Sequence, residues 1–297
     1  MKKLALAVTV ATIVAAPIAQ AGSTLTGSLR YGLNFSDDGV NDSQIDVTNF
    51  GSRIKWAGDT DLGAGKTGYG KLELRLNDAR NANVVNRMYA VGIKGGFGDI
   101  SFGVQDTAFD IANPDRTWWN GGTALVGNRD EKNGAVVYKN SFGDISMAIG
   151  AQMTNNAVGA EEAADIIDAG VKYSANNIML AAAVQSDTAS EGTATAISGG
   201  YNFGAGDFTL TYGIEDEDYT GGAERTGLDF QAGFGNFYGW YSQTEFDGAD
   251  ETPFRAGLGY THTLNDQMLI WTELFTTDAD DGSDAAMGFN SALKIDF

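Results

Sequence analysis

The sequence predicts an all-β chain closed into a transmembrane antiparallel up-and-down barrel of about sixteen strands. Three observations predict it. Apolar and polar residues alternate with a period of two between recurring turn signals. The connections between these stretches are by turns tight and long, and the long ones are acidic. An export segment opens the chain, yet no later stretch approaches the roughly 18 apolar residues of a membrane helix.

Lys2 and Lys3 make a basic start, residues 4–16 are an apolar run, and Ala19-Gln20-Ala21 is a small-residue cleavage site. The run is too short and wrongly flanked to span a bilayer as a helix. Residues 1–21 therefore read as a signal peptide, and residues 22–297 as a single barrel domain.

An extended chain sends alternate side chains to opposite faces, so each stretch sorts into an apolar and a polar side. Leu25, Leu29, Tyr31, Leu33 and Phe35 oppose Thr26, Ser28, Arg30 and Asn34. Lys71, Glu73 and Arg75 alternate with Leu72, Leu74 and Leu76, and Asp144, Ser146 and Gln152 with Ile145, Met147 and Ile149. Phe208, Leu210, Tyr212 and Ile214 face away from Thr209, Thr211 and Glu215; Leu228, Phe230 and Phe234 face away from Arg225, Asp229 and Gln231. Residues 85–94 and 266–276 alternate poorly, which leaves their facing open. The last stretch is the plainest: Met287, Phe289, Leu293, Ile295 and Phe297 share one parity, and Gly288, Asn290, Ala292, Lys294 and Asp296 the other. Its length suits a tilted membrane strand of about ten residues, with Phe297 at the closing edge.

The tight connections fall at Gly95-Gly96-Phe97-Gly98, Asn140-Ser141-Phe142-Gly143, Ala175-Asn176-Asn177, Gly204-Ala205-Gly206, Phe234-Gly235-Asn236 and Asn265-Asp266. The longer ones carry Asp37, Asp38, Glu161, Glu162, residues 215–218, Asp250, Glu251 and residues 278–284. Short turns on one rim and long loops on the other mark an outer-membrane barrel. In hydrocarbon every backbone polar group needs a partner within the protein, so a sheet crosses only if it closes on itself. The apolar parity then faces lipid, and the polar parity faces a lumen too wide for side chains to fill. Phe203, Phe234, Phe237, Tyr260 and Phe297 lie near the tight-turn rim, where an aromatic girdle belongs.

Composition excludes several classes. With no Cys there is neither a disulfide framework nor a thiolate metal site, and a formal net charge of -20 argues against nucleic acid. The 40 Gly against 3 Pro suit a β-rich chain full of tight turns. His262 is the only histidine and shares the face of Leu258, Tyr260 and Leu264, which suits a rim or subunit contact rather than a catalytic pair. The chain does not read as an enzyme and calls for no cofactor.

Ser52-Arg53-Ile54-Lys55-Trp56 leads into Asp61-Leu62-Gly63-Ala64-Gly65, followed by Gly68-Tyr69-Gly70. Then come Asn86-Arg87 with residues 91–98, and Arg129, Asn133 and Tyr138 with residues 140–143. In this order the motifs resemble the general porins of Gram-negative outer membranes, over most of the exported chain. The resemblance implies a sixteen-stranded homotrimer with three pores, set in outer-membrane lipid and lipopolysaccharide. It also implies that a long third loop folds into the lumen and sets its acids against a wall of arginines. The longest irregular stretch here, residues 106–130, occupies that place. Arg53, Arg87 and Arg129 resemble the basic ladder, and Arg30 and Arg75 share the lumen parity of their own strands. Asp110 and Asp115 are the acidic candidates. The loop departs from the family pattern: Asn113-Pro114-Asp115 and Gly121-Gly122 stand loosely for a Pro-Glu-Phe-Gly-Gly run, and Val104 stands where a basic residue is common.

These features predict a water-filled channel for passive diffusion of small hydrophilic solutes and ions, weakly cation-selective because the lumen parity is mixed in sign and the loops are acidic. Two other readings stay open: a channel selective for sugar, phosphate or dicarboxylate, and an exported soluble calcium-binding β-protein or adhesin. Two smaller questions stay open with them. Each Arg can serve the pore or pair with a wall carboxylate such as Glu73 or Asp229, and the acidic loops can be solvated charge or can bridge Ca2+ or Mg2+ at the lipopolysaccharide surface.

Overall fold

A computed structural model describes residues 22–37, 43–76, 84–112, 132–153, 164–188, 190–280, 282 and 285–297. The predicted signal peptide lies outside the described residues. In order the strands are β1 (Gly22–Asp37), β2 (Gln44–Asn49), β3 (Arg53–Gly63), β4 (Lys66–Leu76), β5 (Val84–Gly95) and β6 (Gly98–Gln105). Next are β7 (Lys132–Phe142), β8 (Ile145–Gln152), β9 (Ile166–Ala175), β10 (Ile178–Asp187), β11 (Thr193–Asn202) and β12 (Gly206–Glu215). The last are β13 (Arg225–Phe234), β14 (Phe237–Phe246), β15 (Phe254–Asn265), β16 (Met268–Asp278) and β17 (Ala286–Asp296). β2 and β3 both pair with β1 and form one stave broken at Phe50-Gly51-Ser52, so seventeen segments make sixteen staves. Every pairing is antiparallel, and β17 returns to β1 from Ser28↔Asp296 to Asp37↔Met287. Phe297 completes that seam, its amide and carbonyl exchanging hydrogen bonds of 3.1 and 2.8 Å with Gly27.

The predicted parities hold around the ring. Leu25, Leu29, Tyr31 and Leu33 are exposed on the outer face, as are Phe208, Leu210, Tyr212, Phe230, Met287, Leu293 and Ile295. The inner partners Ser28, Glu73, Asp168, Thr209, Thr211, Asp229, Gln231 and Asn290 are buried. Connections of two or three residues join the staves at one rim, with the longer ones at the other. Phe203, Phe234, Phe237 and Phe297 stand exposed near the short-turn rim, where Phe237 and Tyr260 lie 4.9 Å apart. His262 stacks at 6.5 Å on Tyr260, in that outer girdle and away from the lumen.

The break in the second stave has a definite cause and effect. Leu29 and Arg30 of β1 face three residues, Phe50, Gly51 and Ser52, so the stave carries one extra residue there. A single extra residue exchanges the two faces of everything beyond it. Above the bulge the odd positions Ile45 and Val47 face outward, whereas below it the odd positions Arg53 and Lys55 face the lumen. Gly51 supplies the positive φ of 77° that the turn in the chain requires. Ser52 and Asn49 knit the break together: the Arg30 amide donates to Ser52 Oγ at 2.9 Å and the Ser52 amide to Asn49 Oδ1 at 2.8 Å. Phe50 packs edge-on against Trp271 at 5.3 Å, with Ala292 beneath. Further round the inner wall, aromatic rings lie flat over glycines of the next stave. A Cβ at Gly257 would stand 2.7 Å from Trp240, and one at Gly259 would stand 2.0 Å from Tyr238.

A short helix, α1 (Glu217–Thr220), caps the connection after β12. Asp216 starts it, accepting from the Tyr219 amide at 2.8 Å and from the Thr193 hydroxyl and amide at 2.5 and 2.8 Å. The Thr193 hydroxyl chiefly holds the Asp216 carboxyl below the usual carboxylate range; burial pushes it up by less, and the Tyr219 and Thr193 amides add to the lowering. A depressed folded-state pKa means this stabilisation is full above the ordinary carboxylate pKa and is lost as pH falls through the lowered one. Hydrogen exchange should therefore show the Tyr219 amide protected at neutral pH and losing that protection in acid below the ordinary range. In Asp216→Ala the protection should be low at every pH; persistence of the wild-type profile would refute this account of the cap.

Candidate functional site: the channel interior

One arc of the inner wall is basic and is organised by a single carboxylate. Glu73 on β4 is buried, and its Oε1 receives Arg87 Nη1 at 2.8 Å and Arg53 Nη1 at 3.1 Å. Its Oε2 receives Lys55 Nζ at 3.1 Å. Three cations from two staves, Arg53 and Lys55 of β3 and Arg87 of β5, thus meet on one anion, which leaves the cluster positively charged. Arg75 lies opposite Arg53 in the β3–β4 register, exposed and with no ion-pair partner among the described residues. Arg30 donates from Nε to Ser28 Oγ at 3.2 Å and interacts electrostatically with Asp296 and Glu73. Like unit charges about 5 Å apart repel by roughly 3 kcal/mol at an effective dielectric constant near 20, and by less where water reaches them. Glu73 is what lets Arg53, Lys55 and Arg87 stand together.

Both arginines owe their aim to a bulge. Arg53 faces inward because of the extra residue at the break in the second stave. Arg87 sits at a second irregularity, where Glu73 pairs with Met88 but Leu74 pairs with Asn86, so that Arg87 has no cross-strand partner of its own. Regular alternation would put Arg87 on the outer face with Tyr89 and Val91; the bulge turns it to Glu73. This irregularity is also why residues 85–94 alternate poorly.

Further round the wall the chain leaving β6 turns into the barrel. A 3-10 turn, Ala108–Ala112, lies on β8, β9, β10 and β11. The pad beneath it is built from small residues: Ala148, Gly150, Gly170, Ala181, Ala183, Ala194 and Ala196. Phe109 and Ala112 are buried in it, with Ile111, Met179 and Tyr219 packed around them. Buried polar groups fix the turn. Asp168 accepts from the Phe109 amide at 3.0 Å, and Ser198 Oγ donates to the Ala112 carbonyl. From above, Tyr219 of α1 donates to Gln185 Oε1 at 2.5 Å. The start of the long connection is therefore clamped to the wall inside the lumen.

Of the residues expected to form the constriction, Arg53 and Arg87 meet on Glu73, and Arg30 and Arg75 flank them. Asp110 rides on the 3-10 turn, where it lines a cavity with Lys139 and Lys172. Arg129 and Asp115 lie outside the described residues. Sequence reasoning named Glu73 only as a possible partner and passed over Lys55 and Asp168. For Lys55 the signal was present, since it shares the parity of Arg53; for Asp168 no lumen residue had been recognised on its strand. Among the described residues no group of three or more His, Cys, Asp or Glu side chains is placed to hold a metal ion, and no catalytic constellation is present.

Known proteins agree with this architecture. The profile of the family described as Gram-negative porin matches residues 5–282. The chain belongs to that family. This places the porin in the Gram-negative outer membrane as a channel-forming barrel. It is 25% identical to a protein named monosaccharide porin from Halomonas sp, over 97% of this chain and 99% of that one. Among solved structures it is similar to a loop-deletion mutant of the outer membrane protein OmpT of Vibrio cholerae, with a TM-score of 0.74 at 18% identity over 94% of this chain and 100% of that one. It is also similar to an anion-selective porin from Comamonas acidovorans, with a TM-score of 0.72 at 17% identity over 93% and 100% of the two chains.

The pad gives a direct test of the inward loop. A Cβ at Gly170 would stand 2.1 Å from Ile111 Cγ2 and 2.9 Å from the Ala108 carbonyl oxygen. In the porin, Gly170→Val should lift the turn off the wall and leave the barrel closed. The expected result is a noisier channel of altered conductance, with the resistance to SDS that barrels keep until heated. Quiet wild-type conductance in Gly170→Val would remove the turn from the conduction path.

Proposed function

We propose that the chain is a general diffusion channel, passing small hydrophilic solutes and ions down their gradients with weak cation preference. The observation that carries this reading is the closed sixteen-stave barrel with an apolar outer face and, inside, a basic cluster held on Glu73. Charges fixed on a lumen wall bias ion passage and favour solutes that exchange water for polar contacts; apolar solutes find nothing to replace their ordered water. The cation preference rests on the formal net charge of -20, with the acids concentrated in the long loops at the mouth. The family resemblance extends the proposal to a homotrimer in outer-membrane lipid and lipopolysaccharide.

A sugar-selective channel is the rival reading, and the name of the Halomonas relative raises it. Stacking a sugar needs an open ring face. Trp240 and Trp271 are on the inner wall, but they are 3% and 1% exposed and packed on their neighbours. That burial favours general diffusion.

Reversal potentials across a salt gradient in planar bilayers should show weak cation preference; clear anion selectivity would refute it. Arg53→Ala and Arg87→Ala should raise single-channel conductance, and Glu73→Gln, which leaves three cations without their anion, should move selectivity toward anions. Unchanged conductance and selectivity in all three variants would take this cluster out of the narrow part of the pore.

A further inference from the structure

We propose that the underside of the 3-10 turn is a binding site for the free hydrogenphosphate ion, with Lys139 and Lys172 as its anchors. The inference rests on the channel reading and adds a solute subsite to it, distinct from the cluster on Glu73.

A cavity of about 520 Å³ opens between the turn and the inner wall of β7 to β10, on the short-turn side of the loop. Thr107, Ala108, Asp110 and Ile111 form its roof, and Lys139 and Lys172 stand in its wall. Lys139 has the inward parity of Ala135 and Val137, and Lys172 that of Asp168 and Gly170. Neither lysine has an ion-pair or hydrogen-bond partner among the described residues. The inner-wall cations on Glu73, and Arg225 on Glu215 at 2.5 Å, are all paired.

The register shows how the two ammonium groups share one space. Lys139 pairs with Ala148 on β8, and Lys172 with Ser146 on the same stave. The lysines are thus two stave spacings apart, about 10 Å across the sheet, with only Ala148 and Ser146 between them. Two long side chains leaning over two small ones can close on a single anion. Ser141 and Ser146 hydroxyls, 3.1 Å apart, offer donors at the lower edge. Lys71 is within electrostatic reach of Lys139 and adds to the positive field. The nearby acids are Asp99, which accepts from the Tyr69 hydroxyl at 2.6 Å, Asp106, Asp110 in the roof, and Asp168, which is turned to the Phe109 amide.

Asp110 selects among anions. A fully deprotonated dianion meets a carboxylate there and is repelled. Hydrogenphosphate carries two negative charges for the lysines and still has one P–OH to donate to Asp110. Sulfate has the same size and charge at neutral pH but no such proton.

The test is single-channel recording of the wild-type protein in potassium chloride at mildly alkaline pH, with inorganic phosphate added on the short-turn side. Phosphate should reduce conductance saturably at roughly millimolar concentration, with sulfate about tenfold weaker. In Lys139→Gln/Lys172→Gln the half-blocking phosphate concentration should rise about tenfold or more, while the potassium chloride conductance persists. A small phosphate monoester, whose dianion has no P–OH left at this pH, should block as weakly as sulfate; block equal to that of phosphate would overturn the role given to Asp110. As a measurement needing no variant, phosphate should shield Lys139 and Lys172 from an amine-reactive reagent, read by mass spectrometry. A conducting wild-type channel with no phosphate block, equal block by sulfate, unchanged block in the double variant, or no shielding would each overturn the site. A protein with no channel current at all would overturn the channel reading instead.

Discussion

The whole architecture depends on one seam. In hydrocarbon an unpaired backbone N–H or C=O costs several kcal/mol, and β1 and β17 together would leave ten register positions open if they did not meet. The exchange of hydrogen bonds between Phe297 and Gly27 carries the ladder to its last residue, and the Phe297 ring lies where a Gly27 Cβ would stand. Once the seam is closed, the strict two-residue period does the rest, since every stave must show one face to lipid and the other to water.

That same strictness makes the polar wall hard to furnish. A perfectly regular stave can place a side chain inward only at every second position, in a register fixed by its neighbours. The arginines that meet on Glu73 escape this limit through local irregularity. One extra residue at Phe50-Gly51-Ser52 turns Arg53 and Lys55 inward, and the irregularity beside Arg87 turns that residue in as well. The break is stabilised by its own contents, with Ser52 and Asn49 taking up backbone donors and Phe50 wedged against Trp271. Sheet defects in this molecule are thus the means by which charge is concentrated at one level of the lumen.

The sequence made the fold legible wherever alternation was regular. The faces of β1, β4, β8, β12, β13 and β17 could be read from parity alone, as could the rhythm of tight and long connections. It was less informative about the interior, for two physical reasons. Bulges invert parity without any residue announcing it, so Arg87 could be placed only through the family resemblance, and the break at Phe50 went unseen. The second reason is that tertiary contacts select among equivalent carboxylates. Asp168 and Asp229 look alike in sequence, yet the amide of Phe109 falls on Asp168 alone in the described structure because the small-residue pad lies beside it. A run of Ala and Gly on an inward parity was the available sign of that pad; it reads as weak strand until something is known to lie on it.

The pad also explains why a loop can lie inside a wet lumen. An inward-folded segment must bury its backbone groups or leave them to water, and it must do so without the hydrophobic core of a soluble domain. Here the small side chains of β8 to β11 lower the wall by the thickness of one layer. Phe109 and Ala112 can then sink below the level of their neighbours, and Asp168 and Ser198 meet the exposed amide and carbonyl. Tyr219 closes over the same cluster from a separate loop, which ties the outer mouth to the interior. The Ala108–Ala112 turn is held by packing and buried hydrogen bonds. Those contacts are apolar packing and neutral or buried hydrogen bonds to β8–β11, so salt that screens the arginines on Glu73 leaves the turn in place.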